Sequence, residues 1–355
     1  MTTADRFSTS WLQARDRFRI AAAAHPHHVD SGALEVVDGL TIDWAWTGAR
    51  AAKQVLVFSS GLHGIEGYAG CAAQLEMIAA GAPTPTLWLH ALNPWGMKHW
   101  RRVNEANVDL NRGFLPPGTP WSGDDRDYNK LDDLLNPKRP PGFELFWPRL
   151  VALLARHGLP TLRNVVARGQ YSHPQGVFFC GEAPQPTAEI VVDLVERELA
   201  GRERVVWIDL HTARGPRGQY VAFLDGEPET EQTTRAKNIF GDALRAWVAG
   251  SEDGYDMRGG MLREIGRRLS GVRYDGLTVE FGTVSDIAII RAMRIENQLF
   301  FHGPEELRGP RVDLAHAARR AMQAAFCPDD PHWRQHVLTA SGRILDQARE
   351  LIAAP

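Results

Sequence analysis

The chain has 355 residues, 44% of them hydrophobic and 23% charged, with a formal net charge of -3, a globular composition with enough apolar material for a sizeable core. That charge excludes nucleic-acid or membrane-surface binding that rests on bulk positive charge. No run of about 18 apolar residues occurs, so no stretch reads as a membrane span.

Three cysteines, Cys71, Cys180 and Cys327, have no CxxC spacing and leave an odd number, which points to a reducing, cytoplasmic setting. The first residues lack the apolar core of a signal peptide. No linker or repeat divides the chain, and a single domain over residues 1–355 is expected.

In chain order, residues 6–24 read as a surface helix. Leu34–Val37 and Leu40–Trp44 flank Asp38-Gly39 in the pattern of a β-hairpin. The apolar run Val55-Leu56-Val57-Phe58 predicts a buried strand. It enters the turn Ser59-Ser60-Gly61-Leu62-His63-Gly64-Ile65-Glu66-Gly67, which opens a helix over Tyr68–Ala80. Thr86–Leu92 is a second strand, stopped by Asn93-Pro94, and strand–helix–strand is the unit of a parallel sheet. Residues 93–143 hold no long element. Their polar part, 101–112, reads as functional, and 115–142 as a lid or a surface excursion. Phe143–Arg156 looks helical, Val165-Val166 reads as a short strand, and Gly169–Pro174 is a polar turn. Pro186–Leu199 is a helix with proline at its start and one apolar face. Strands follow at Val205–His211, Tyr220–Leu224 and Leu277–Thr283. The remaining helices are expected at 230–249, 260–269, 285–300, 312–326 and 333–353. The fold class is α/β: three α/β/α layers around a mixed, mostly parallel sheet.

Three of these strands carry ionisable residues at or just past their carboxyl ends: His63 with Glu66, His211, and Glu280. In a mostly parallel sheet those ends share one edge. A lone His-x-x-Glu is a weak signal. Two histidines and a carboxylate from one turn and one distant strand, however, form the ligand set of a catalytic zinc site, with a fourth position left for water. Glu280 is then free to act as general base on that water. Arginines on the 101–112 loop suit two tasks, polarising a carbonyl oxygen and clamping a substrate carboxylate. Asp209 reads as a strand-end carboxylate capping the next turn, and Arg101 as a solvated neighbour or helper of Arg102. Tyr171 and His173 suit a pocket wall or a structural turn equally, and Cys71 and Cys180 small core positions.

His63-x-x-Glu66, the Asn93-Pro94-x-Gly96 turn, Arg102, the run Asn107–Arg112, His211 and Glu280 occur in the order of the zinc carboxypeptidase (carboxypeptidase A-like) family. Over residues 55 to 285 the chain resembles that family and its relatives, the succinylglutamate desuccinylase and aspartoacylase group. Asp-Leu-His-Thr and Val-Glu-Phe-Gly-Thr look most like a bacterial branch between the two. The resemblance implies one zinc ion per chain on His63, Glu66 and His211, with Glu280 as base and proton shuttle. It implies that Arg102 stabilises the oxyanion and that Asn111 and Arg112 hold a substrate carboxylate. Asp109 would accept a hydrogen bond from His63 and fix its tautomer.

The peptidases also place a tyrosine on a loop before the catalytic glutamate. Tyr255 and Tyr274 are the candidates here, with Tyr171 and Tyr220 further options. The expected activity is hydrolysis of an amide next to a carboxylate-bearing group, on a peptide or small molecule. N-acyl amino acid deacylation and metal binding without catalysis are the alternatives. A homo-oligomer is compatible with the sequence.

Overall fold

The computed structural model describes residues 3–142, 144–224, 230–246, 258–311 and 316–354. Helices α1 (Thr3–Arg6) and α2 (Trp11–Ala23) come first. Ser10 caps α2 through a bond from the Gln13 N–H. Trp11, Ala14, Phe18 and Ala22 recur at helical spacing and are buried, so the helix expected to lie on the surface inserts one face into the core.

Strands β1 (His28–Val37) and β2 (Leu40–Thr47) form the expected hairpin, longer at both ends. β3 (Gln54–Ser60), α3 (Gly67–Ala79), β4 (Thr86–His90) and α4 (Pro94–Lys98) follow. Four helices come next, α5 (Arg126–Asn129), α6 (Asp132–Leu135), α7 (Phe146–His157) and α8 (Leu159–Ala167). Val165-Val166 therefore lies in a helix and not in a strand. Pro160 starts that helix, and Leu162 and Val165 share the face that packs on the core, a spacing that two residues alone do not reveal. Phe143, where α7 was expected to begin, lies outside the described residues.

The second half comprises α9 (Pro186–Leu199), β5 (Arg204–Ala213), β6 (Tyr220–Leu224) and α10 (Glu231–Phe240). Then come β7 (Leu244–Ala246), α11 (Met261–Arg268), β8 (Arg273–Gly282), α12 (Asp286–His302), α13 (Ala317–Phe326) and α14 (Pro331–Ala353). The helix expected over 230–249 stops at Phe240, where Gly241 takes a positive φ of 57°. The chain then forms the short edge strand β7, while 247–249 and 312–315 fall outside the described residues.

Among the described residues the eight strands form one sheet in the order β1-β2-β4-β3-β5-β8-β6-β7. β4, β3, β5 and β8 run parallel to one another, and β2 and β6 pair antiparallel at either side. Helices cover both faces, the architecture expected from the sequence. Alternation along the central strands sorts their side chains. Leu56, Phe58, Val206, Ile208, Leu277, Val279 and Phe281 meet α2, α3 and α14. Val55, Val57, Val205 and Trp207 meet α9 and α11. Because β3, β5 and β8 are parallel neighbours, their carboxyl ends emerge side by side.

Candidate metal centre

The turn after β3 is shaped by two glycines. Gly61 adopts φ 72°. A Cβ on Gly64 would stand 2.2 Å from the backbone of Gly96 and Met97, so only hydrogen fits there. Asn93 caps α4 by accepting from the Gly96 N–H at 2.8 Å, which sets Gly96 against Gly64. The turn is also hung on the loop that follows. The Gly64 and Ile65 N–H groups donate to the carbonyls of Arg102 (3.1 Å) and Arg101 (2.9 Å). His63 and Glu66 are thereby held just past the strand end, both buried.

His211 lies on β5 beside Glu280 of β8, its partner in register. Both point to the face opposite Leu210 and Val279. One ligand atom from each of His63, Glu66 and His211 lies within 4.8 Å of the others. The two imidazoles meet edge to face, with ring centroids 5.0 Å apart.

The polar atoms around this group test whether a cation fits. His211 faces a carboxylate on each ring nitrogen, with Nε2 2.6 Å from Asp209 Oδ2 and Nδ1 3.2 Å from Glu66 Oε2. A neutral ring donates to only one of them, so the site calls for a proton or another positive charge. Burial alone lowers the pKa of His211, but Asp209 and then Glu66 outweigh it and hold it well above the usual histidine value. His63 shifts the other way: burial, then the Arg102 guanidinium, push it well down. A histidine kept neutral offers a lone pair to a metal. The Arg102 guanidinium already acts as a stand-in cation, 2.7 Å from Glu66 Oε1 and 2.7 Å from His63 Nε2. The donor set and its surplus of negative charge fit zinc.

Glu280 is half-buried and accepts from the Arg214 N–H at 3.3 Å. Burial and the neighbouring Glu66 carboxylate hold its carboxyl well above the usual range, and a cation on Glu66 would relieve the second cause. Glu280 lines a cavity of about 90 Å³ together with Arg102, Arg214, Arg163 and Phe178.

Asp109 does reach His63, but at 3.6 Å between Oδ1 and Nδ1, beyond a hydrogen bond. Both atoms are buried without a hydrogen-bond partner. Burial works against the Asp109 charge, yet Arg112, Arg102 and His63 hold its carboxyl well below the usual carboxylate range. Arg112 is buried and is bonded to Asp109 Oδ2 (2.6 Å) and the Ala167 carbonyl. Asn111 accepts from the Met261 N–H at 3.1 Å. Neither of the two lines the cavity with Glu280.

Two residues depart from expectation. Asp209 does not cap a turn. It lies two positions before His211 on the same strand face, which is the signal that could have paired them. Its other oxygen accepts from Ser59 Oγ at 2.6 Å, and Ser59 in turn accepts from Trp207 Nε1 at 2.7 Å. Arg101 is not solvated but 1% exposed. It is bound to Glu296, Asn107 and Asn297, with Arg319 sharing Glu296. That buried cluster ties the loop to α12 and α13. Arg163 lies on α8, which no sequence spacing places beside Glu280, and Arg214 directly follows β5, three residues after His211. Tyr171 and His173 build a turn, bonded to Asp125 and Asn129. Tyr220 bonds Gln347, and Tyr255 lies outside the described residues. Among the described residues no tyrosine lines the cavity with Glu280.

No curated protein matches the sequence. Among solved structures the chain is similar to thrombin activatable fibrinolysis inhibitor (TAFI), with a TM-score of 0.56 and 11% identity over 100% of this chain and 77% of that one. It is also similar to the bovine thrombin-activatable fibrinolysis inhibitor in complex with tick carboxypeptidase inhibitor (TM-score 0.49, 14% identity, 95% of this chain, 99% of that one). A third is carboxypeptidase A from Helicoverpa armigera (TM-score 0.48, 13% identity, 96% of this chain, 75% of that one). The first carries the likeness, which at that identity concerns the fold alone. No helix among the described residues is long and apolar enough to cross a membrane. The family whose sequence pattern matches residues 7–340 is described as Protein of unknown function (DUF2817), and the chain belongs to it.

Proposed function

We propose that this protein is a zinc-dependent hydrolase that cleaves an amide next to a carboxylate-bearing group, in the manner of a carboxypeptidase. The observation that carries the reading is the buried His63–Glu66–His211 group with Glu280 on the adjoining strand. One zinc ion per chain, held by His63, Glu66 and His211, would supply Lewis acidity toward the amide carbonyl and toward water.

Glu280 takes the proton of the attacking water and passes it to the leaving amine, a task for which a raised carboxyl pKa is suited. Arg102 donates to the carbonyl oxygen as negative charge develops there, turning from its present contacts. For the substrate carboxylate there are two candidates, one behind the cavity and one on its wall. Arg112 with Asn111 is the set the resemblance implies, and it must release Asp109 to act. Arg214 already lines the cavity. Asp209 orients His211 through its contact with Nε2. Three buried, unpaired thiols favour a reducing compartment such as the cytoplasm.

A second reading keeps the same centre and makes the enzyme an N-acyl amino acid deacylase, near the desuccinylase group. What supports it is the sequence context Asp209-Leu210-His211-Thr212 and Val279-Glu280-Phe281-Gly282-Thr283, which resembles a branch between the peptidases and the desuccinylase group. Zinc-loaded protein assayed on dipeptides and on N-acyl amino acids separates the two. Glu280→Gln should keep zinc and lower kcat by roughly 10²–10⁴-fold. Zinc-loaded wild type that turns over neither panel would leave a metal-binding protein without catalysis.

A further inference from the structure

A helix on the outside of a domain usually buries one stripe and turns a polar face to water. Helix α7 does the first and not the second. Phe146, Leu150, Leu153 and Leu154 form its buried or half-buried stripe. On the exposed side Trp147, Val151 and Ala155 follow one another at four-residue spacing, with Ala152 beside them. Trp147 is 53% exposed and Val151 61%. The helix has no hydroxyl, amide or carboxylate side chain anywhere along it. Leu145 at its start and Leu159 just beyond its end are exposed as well, and these four are most of the large hydrophobic side chains left exposed among the described residues.

The charge around this face has one sign. Arg149 and Arg156 lie seven residues apart, two turns, and so line up along one edge of it. Arg291 of α12 stands over the Trp147 ring, 6.0 Å from its centre. Glu144, the acid next to the helix, is held by Arg294 and Gln298. From Leu145 to Gly181 the chain has no aspartate or glutamate, although Asp and Glu number 43 in all. The net charge of -3 therefore does not describe this patch.

An apolar stripe edged by arginine complements a surface that is anionic outside and apolar beneath, the headgroup layer of a bilayer with acidic lipids. Tryptophan suits that depth, with an apolar body and a polar N–H. A second copy complements it less well, because a twofold antiparallel pairing of two such helices sets arginine against arginine. A protein partner would be met by about one hydrogen bond per 100–200 Å², and this face offers few donors beyond its arginines.

We infer that α7 docks the protein on the surface of an anionic lipid bilayer. Trp147 and Val151 enter the headgroup layer, and Arg149 and Arg156 meet lipid phosphates. Helix α7 leads into α8, whose Arg163 and Val166 line the cavity with Glu280, so docking sets that cavity close to the lipid. The inference does not depend on the hydrolase reading, since α7 supplies no group to the candidate metal centre.

The test is co-sedimentation of the full chain with two kinds of vesicle, phosphatidylcholine alone and phosphatidylcholine carrying about a quarter phosphatidylglycerol. Partition into the anionic vesicles should be roughly tenfold or more stronger and should weaken as salt is added. Trp147→Ser with Val151→Ser should lower it by roughly tenfold. Arg149→Gln with Arg156→Gln should lower it by roughly thirtyfold. Thermal melting checks that the variants are folded, and where a pair is destabilised Val151→Glu alone takes its place and should abolish binding. No partition, equal partition into both vesicles, or folded variants that bind as wild type does would each overturn the inference. Sedimentation equilibrium without lipid gives the rival outcome: a dimer that Trp147→Ser dissociates assigns the face to a second copy and overturns the bilayer.

Discussion

Asp209→Asn probes the candidate metal centre from behind. Asp209 and His211 are both almost fully buried, and the 2.6 Å contact between Oδ2 and Nε2 is short enough for a charge-assisted bond. With a cation in place of the second proton, that bond commits the remaining ring proton to Nε2 and leaves the Nδ1 lone pair for the cation. Asparagine has nearly the same shape, and Ser59 Oγ can still donate to its oxygen. The amide NH₂ then faces Nε2 and asks that nitrogen to accept, which moves the ring proton to Nδ1. A proton there competes with a cation for the position. Loss of a partner of this kind costs roughly 10–100-fold in metal affinity, or about 1.4–2.7 kcal/mol. The assay is zinc competition against a chromophoric chelator, with thermal melting of the metal-free protein as control. A zinc Kd within twofold of wild type, with unchanged melting, would refute the coupling between Asp209 and the site.

Three further outcomes follow from the geometry. His63→Ala and His211→Ala should each lose bound zinc by elemental analysis, and one zinc per chain in both variants would sink the ligand assignment. Arg112→Ala leaves the buried Asp109 carboxylate with less compensation, and the unfolding free energy should fall by roughly 3–5 kcal/mol in urea titration. Unchanged stability with a raised KM for carboxylate substrates would assign Arg112 to the clamp instead. His90 is buried against Phe18 with both ring nitrogens unbonded, and burial, then Arg19, lower its pKa from 6.5 to about 3. Its unfolded form therefore takes up a proton more readily. Its share of the stability is present above pH 6.5 and drains away as the pH falls toward 3, by about 3 kcal/mol at pH 4. His90→Leu should flatten that acid limb, and an unaltered slope of unfolding free energy against pH would remove His90 as its source.

Much of the candidate site was legible because its ionisable groups sit where local patterns change. His63 and Glu66 follow an apolar run of four, and His211 and Glu280 interrupt or end others. Parallel strands then bring those ends to one edge. Asp209 was legible too, through its two-residue offset from His211, but a single strand does not say whether a carboxylate meets a turn or an imidazole. Arg101 and Arg102 look alike in sequence. What separates them is Glu296 of α12 and Arg319 of α13, which bury one and leave the other at the cavity. The helix α8 was not legible at Val165-Val166, because two β-branched residues suit a strand locally and only packing against the core selects the helix.

The sequence by itself determined the alternation of the strands, the glycine turn that aims His63 and Glu66, and the inventory of groups able to hold zinc and move a proton. The tertiary structure decided which of those groups share charge. Ser59 meets Asp209 across 150 residues of chain, Arg102 settles between Glu66 and His63, and α8 brings Arg163 beside Glu280. The reason is physical. Hydrogen bonds and buried charges act over a few ångströms, and chain distance carries no information about which side chains will come that close.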